Sequence, residues 1–138
     1  MNPIKISKLD HVVFRVADID KAIWFYRDVL GLTEARIRAD HGLYQFQAGV
    51  SMIDLVPQDS ELGKREGYGP PEAGRNVDHV ALTLDDFDEE ALRTYLEDHG
   101  LTVHQSGRRF GADGYGPSLY LTDPDGNMVE LKGPPEEQ

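Results

Sequence analysis

The sequence contains no cysteine. Disulfides, thiolate metal sites and cysteine nucleophiles are excluded together, and the composition fits a reducing cytoplasm. No apolar run approaches the ~18 residues that a membrane span needs. Charged and apolar residues alternate through the first thirty positions, so no secretory-signal core is expected there. Cationic residues are scarce: 14 Lys and Arg stand against 25 Asp and Glu, with a net charge of −11 and a pI near 4.7. Such a surface repels phosphate backbones and anionic lipid, which argues against nucleic acid and membranes as partners. What remains is a chain of 138 residues, 39% apolar, enough for one soluble, cytoplasmic domain with a modest core. The tail Pro134-Pro135-Glu136-Glu137-Gln138 is expected to fray.

The chain repeats itself. Leu9-Asp10-His11-Val12-Val13-Phe14-Arg15-Val16 opens the first half and Val77-Asp78-His79-Val80-Ala81-Leu82-Thr83-Leu84 the second. Both are strand-like, and each leads through an acidic turn into a helix. The first helix is expected over about 20–30, with Ala22, Phe25, Tyr26, Val29 and Leu30 at helical spacing and Gly31 as its stop. The second is expected over about 88–99, with Ala91, Leu92, Tyr95 and Leu96 as its stripe and Gly100 as its stop. Strands then follow at about 34–39, 42–48 and 50–57, and at 102–105, 118–122 and 128–132. Each half is β-α-β-β-β. The expected class is α+β, with two tandem modules (8–57 and 77–133) joined by a Gly-, Pro- and charge-rich linker over 58–76, forming a single domain.

A duplicated module repeats its special positions. His11 and His79 interrupt the two opening strands, and Asp54 and Glu130 interrupt the two closing ones. A lone strand histidine is commonly a hydrogen-bonded structural residue, and a lone carboxylate at a strand end is commonly solvated. As a matched set, the four read as metal ligands, because an inward carboxylate needs a cationic partner. Two imidazoles and a carboxylate suit Fe(II), Mn, Ni, Co or Zn. Asp54 is one methylene shorter than Glu130, which leaves open whether it ligates directly or through water. His41, His99 and His104 fall outside the set and read as surface or loop residues.

At these residues the chain resembles the vicinal oxygen chelate superfamily, which includes glyoxalase I, extradiol dioxygenases, fosfomycin-resistance proteins and bleomycin-binding proteins. The resemblance spans about 8–133. It is carried by Leu9-Asp10-His11, Phe25-Tyr26-Arg27-Asp28-Val29-Leu30-Gly31-Leu32, Val77-Asp78-His79-Val80-Ala81 and Asp123-Pro124-Asp125-Gly126-Asn127-Met128-Val129-Glu130-Leu131. It implies curved sheets forming a cup around one divalent metal, held by His11, Asp54, His79 and Glu130. It also implies a homodimer in which the first module of one copy faces the second module of the other, and a small-molecule substrate.

The resemblance to glyoxalase I implies a lyase or isomerase acting on a small α-oxo or vicinal-oxygen substrate, with glutathione as cosubstrate. Glu130 or Asp54 then moves the proton, and Arg15 holds a substrate carboxylate; otherwise Arg15 is a surface or interface arginine. The resemblance to extradiol dioxygenases makes Tyr120 a substrate contact, otherwise a core tyrosine. The acid–base histidine of that signature is absent from Gly111, Ala112 and Asp113. The resemblance to fosfomycin-type thiol transferases implies Arg108 or Arg109 gripping an anion from a glycine-punctuated loop over 106–117, otherwise a solvated hairpin. A drug-sequestering protein without catalysis is the remaining alternative; the intact set of four ligand-capable residues argues against it.

Overall fold

The structure is a computed structural model that describes residues 2–3, 5–64 and 77–136. The chain divides into two compact units, Met1–Gly69 and Pro70–Gln138. The expected linker falls largely on 65–76, outside the described residues, while 58–64 form turns.

In the first unit, β1 (His11–Val16) leads into a helix, α1 (Ile19–Ile23), and then β2 (Thr33–Arg38), β3 (Leu43–Ala48) and β4 (Ser51–Pro57). The sheet order is β1-β4-β3-β2, with β1 parallel to β4 and the other pairs antiparallel. The second unit repeats this with β5 (His79–Thr83), α2 (Glu89–Asp98), β6 (Gln105–Gly111), β7 (Gly114–Thr122) and β8 (Met128–Lys132), in the order β5-β8-β7-β6. The β-α-β-β-β reading of each half and the α+β class are both met.

Strand alternation separates two chemistries in each sheet. In the first, Val12, Phe14, Phe46, Ile53 and Leu55 share the face against the helix, where Phe14 and Tyr26 stack at 6.0 Å between centroids. Val16, Ala22, Phe25, Tyr26, Phe46 and Leu55 are wholly buried there. In the second, Leu96, Leu119, Leu121, Val129 and Leu131 make the corresponding core. The opposite faces carry the polar set: His11, Arg15, Gln45 and Asp54 in one sheet, His79, Arg109, Tyr120, Glu130 and Lys132 in the other.

The helices start and stop where the residues dictate. Asp18 accepts from the amides of Asp20 and Lys21 (3.1 and 3.2 Å), and Asp88 accepts from Ala91 (3.1 Å). Gly31 and Gly100 take φ of 83° and 78°, the left-handed conformation that ends a helix at least cost for glycine. The first helix differs from expectation in its second half: Trp24–Val29 is π-helical, with the Leu30 amide bonded to the Phe25 carbonyl. The wider turn accompanies the complete burial of the adjacent rings Phe25 and Tyr26.

The glycine-punctuated segment over 106–117, expected as an anion-gripping loop or a solvated hairpin, is a hairpin whose two strands run nearly its whole length. β6 and β7 pair from Gln105↔Tyr120 to Gly111↔Gly114, leaving only Ala112 and Asp113 as the turn. The strand expected at 102–105 therefore begins at Gln105 and runs to Gly111. Its glycines serve close approach. A Cβ at Gly111 would stand 2.6 Å from the Lys132 side chain, and one at Gly116 would stand 2.7 Å from the Pro134 carbonyl oxygen. The tail also departs from expectation through Glu136, whose amide bonds the Tyr115 carbonyl and whose carboxylate pairs with Arg108 at 2.9 Å.

Candidate metal centre

β1 and β4 run parallel with His11 opposite Met52 and Val13 opposite Asp54, so the imidazole and the carboxylate stand diagonally on one face. β5 and β8 repeat this, with His79 opposite Met128 and Ala81 opposite Glu130. The His79 Nε2 lies 3.0 Å from Glu130 Oε1, and His11 Nε2 lies 4.0 Å from Asp54 Oδ2. The shorter aspartate accounts for the wider gap. The structure brings the four residues together two and two; among the described residues no group of three or more His, Asp and Glu side chains gathers as a metal cluster.

Both histidines are oriented from behind. The residue preceding each is an aspartate, and its carboxylate meets Nδ1 at 2.8 Å for Asp10–His11 and 2.7 Å for Asp78–His79. A neutral imidazole held this way carries its proton on Nδ1 and turns the Nε2 lone pair forward. The hydrogen bond to Asp10 is the main cause that raises the His11 pKa above its ordinary value. Desolvation opposes it, and the Asp54 and Asp10 charges add to it.

The carboxylates differ in their surroundings. Glu130 is 5% exposed and accepts from Ser118 Oγ at 2.7 Å. Burial is the largest single influence on it and pushes its pKa up. The Ser118 and Tyr120 hydroxyls, with the positive charges of His79 and Lys132, outweigh that and hold it below the ordinary glutamate value. Burial and the neighbouring Glu130 carboxylate push the Tyr120 hydroxyl up. Asp54 is 2% exposed; Oδ2 accepts from Gln45 Nε2 at 3.1 Å, while Oδ1 is buried without a hydrogen-bond partner.

These observations test whether the residues suit a cation. An imidazole Nε2 set 3.0 Å from a buried carboxylate oxygen needs positive charge between them, supplied either by a proton on Nε2 or by a metal ion. Two ligand atoms each ~2.0–2.2 Å from a common ion stand about 3 Å apart when adjacent in its coordination shell. A buried carboxylate oxygen without a donor likewise calls for a positive partner. The donor set fits a borderline divalent ion.

The remaining expected residues fall as follows. Arg15 shares the His11 face of β1, opposite Val56. Tyr120 pairs with Glu130 across β7–β8, and its ring lies edge-on to His79 at 5.5 Å. Arg109 lies on the same face, its guanidinium 5.7 Å from the Tyr120 ring centroid. Arg108 points to the other face, paired with Glu136 and lying 4.0 Å over the Tyr115 ring. His41, His99 and His104 are exposed, as expected. The residues that sequence reading missed are Asp10, Asp78, Gln45, Ser118 and Lys132. Lys132 is buried, and its Nζ donates to the carbonyls of Arg109 (2.6 Å) and Gly116 (3.5 Å). The Asp-His dipeptide, present at both opening strands, was the available signal for the first two.

No helix among the described residues is long and apolar enough to cross a membrane. Among known proteins, the chain is 31% identical over 126 residues to glutathione transferase FosA of Serratia marcescens, covering 91% of this chain and 80% of that one. It is 27% identical over 126 residues to metallothiol transferase FosB of Staphylococcus saprophyticus, covering 91% and 76%. Its fold matches the crystal structure of lactoylglutathione lyase from Agrobacterium tumefaciens with a TM-score of 0.66 and 27% identity, covering 96% of each chain. By these names the relatives are enzymes. The family model that matches covers residues 8–131, and on that match the chain belongs to the glyoxalase/bleomycin resistance protein/dioxygenase superfamily.

Proposed function

We propose that the protein is a metal-dependent enzyme of glyoxalase-like lyase or isomerase type, acting on a small substrate through two vicinal oxygens. The observation that carries this reading is the repeated pair of an imidazole, fixed at Nδ1 by the preceding aspartate, facing a buried carboxylate through Nε2. His11, His79 and Glu130 would hold the ion, with Asp54 as fourth ligand or as acceptor for bound water. A homodimer in which the first module of one copy meets the second of its partner would complete the site.

A divalent ion there supplies Lewis-acid polarisation of the substrate oxygens. The protein's own groups do the rest. Glu130 is buried yet held below the ordinary glutamate pKa by the Ser118 hydrogen bond and the positive charges around it, so it accepts a proton from carbon beside the polarised carbonyl and returns it to the neighbouring atom. Asp54, with one oxygen free of donors, is the alternative acceptor. Arg15 and Arg109 lie on the faces that carry the carboxylates and hold the anionic end of the substrate or of glutathione. Tyr120 contributes a hydroxyl on the same face. Arg108 is committed to Glu136 and is assigned no substrate contact.

Thiol transfer is the second reading. The identity to the two transferases favours it, as does the longer 4.0 Å gap at Asp54, which suits a site with three ligands and one open position. Two assays separate them. With Ni, Co, Zn or Mn added, methylglyoxal and glutathione should yield thioester absorbance under the first reading; consumption of glutathione only when a phosphonate epoxide such as fosfomycin is present would select the second. Purified protein should retain divalent metal near stoichiometry and lose it on His79→Ala. A wild type that takes up no metal would defeat both and leave a sequestering protein.

A further inference from the structure

In the first unit a hydrogen-bonded line crosses the sheet. Arg36 Nε donates to Gln45 Oε1 at 3.0 Å, and Gln45 Nε2 donates to Asp54 Oδ2 at 3.1 Å. The line exists because of a β-bulge. The β2–β3 register runs Glu34↔Phe46 and then Arg36↔Gln45, skipping Ala35. Without the bulge Ala35 would face Gln45, and Arg36 would turn to the helix side of the sheet.

The second unit is built differently. Tyr120 stands on β7 opposite Glu130 as Gln45 stands on β3 opposite Asp54, but the β6 residue opposite Tyr120 is Gln105, while Arg109 pairs with Gly116 and has its guanidinium 5.7 Å from the Tyr120 ring centroid. The line of arginine, carboxamide and carboxylate belongs to the first unit.

A carboxamide is two-faced. Its oxygen accepts and its nitrogen donates, and nothing in its shape chooses between them. Arg36 and Asp54 make that choice from the two ends. A guanidinium can only donate and an ionised carboxylate can only accept, so Gln45 turns its oxygen to Arg36 and its NH₂ to Asp54.

We infer that Arg36 and Gln45 form a positioning pair, in which the outer-strand arginine anchors the carboxamide oxygen so that its NH₂ holds Asp54 aimed at His11. This rests on the reading of Asp54 as a carboxylate of a metal site. Arg36 acts through Gln45 and touches no substrate.

The test is a double-mutant cycle on Co(II) binding by the full chain, read from the visible absorption of the bound ion. Residues that orient metal-binding side chains typically contribute roughly 10–100-fold in affinity. Gln45→Leu should weaken binding within that range. Arg36→Met should weaken it about tenfold in the wild-type background and leave it unchanged in the Gln45→Leu background, while Arg36→Lys, which still donates, should restore it. Equal weakening by Arg36→Met in both backgrounds would mean that only through-space charge is at work and would overturn the inference. Metal-free protein gives an independent arm. Exchange of the Gln45 side-chain amide protons with water should be several-fold slower than for exposed Gln105 and should accelerate in Arg36→Met. A wild type that binds no Co(II) would refute the metal reading, and the exchange result would still decide the pairing: protons exchanging as fast as those of Gln105 would refute it.

Discussion

Glu130→Gln and Asp54→Asn are the same chemical change at equivalent positions, yet the structure predicts different costs. Glu130 accepts a hydrogen bond from Ser118 at 2.7 Å and keeps its other oxygen 3.0 Å from His79 Nε2. Bonds to charged groups contribute about 1.5–3 kcal/mol and neutral ones about 0.5–1.5. Neutralising Glu130 therefore loses about 1–1.5 kcal/mol at the Ser118 bond, with no orphaned oxygen to relieve. Asp54 accepts one, from Gln45, and keeps Oδ1 buried without a donor. Its substitution loses about 1–1.5 kcal/mol at that bond and relieves part of the ~1–3 kcal/mol cost of a buried unsatisfied charged oxygen, so the net lies near zero. Urea unfolding at pH 7 with a chelator present measures both. Glu130→Gln should lower the midpoint clearly, whereas Asp54→Asn should leave it nearly unmoved. Equal losses, or a larger loss at Asp54, would refute the reasoning.

Other outcomes follow from the same contacts. Because the folded Glu130 pKa lies below its ordinary value, its contribution is complete above the ordinary glutamate range and is lost as pH falls through the depressed value. An acid-stability profile should show that loss in the wild type and lack it in Glu130→Gln. His11 is raised chiefly by Asp10, so its contribution is full below the ordinary histidine value and fades as pH rises through the raised one. Its ring-proton NMR titration should have a midpoint above the ordinary value, and Asp10→Asn should bring the midpoint down. Gly116→Ala places a Cβ 2.7 Å from the Pro134 carbonyl oxygen and should cost about 1–3 kcal/mol in unfolding free energy. Asp88→Ala removes the cap on the Ala91 amide and should cost about 1 kcal/mol, measured the same way.

Much of the module was legible because it depends on local chemistry. β8 falls at Met128–Lys132 as read, since Val129 and Leu131 alternate with Met128, Glu130 and Lys132 and Gly126-Asn127 punctuates its start. Gly31 and Gly100 stop their helices because positive φ costs glycine least. The β6–β7 hairpin was legible as a turn-rich segment, but the length of its strands was not. Gly107, Gly111, Gly116 and Pro117 carry turn propensities, and only the pairing of two strands, with Lys132 and Pro134 packed against the glycines, overrides them. The bulge at Ala35 is a property of strand pairing and leaves no mark in composition. The two histidines and two carboxylates were found because duplication marked them. Their supports Gln45 and Ser118 were missed, because a polar residue on a half-buried strand reads as solvent-facing until its opposite number in the neighbouring strand is known.

The central claim is that the imidazole–carboxylate pairs hold a divalent ion. A crystal structure of the protein grown with Co(II), with data collected at the cobalt absorption edge, tests it most directly. The account predicts an anomalous peak within bonding distance of His79 Nε2, Glu130 and His11 Nε2. A fully loaded crystal with its cobalt bound elsewhere, or with no anomalous signal at either pair, would contradict it.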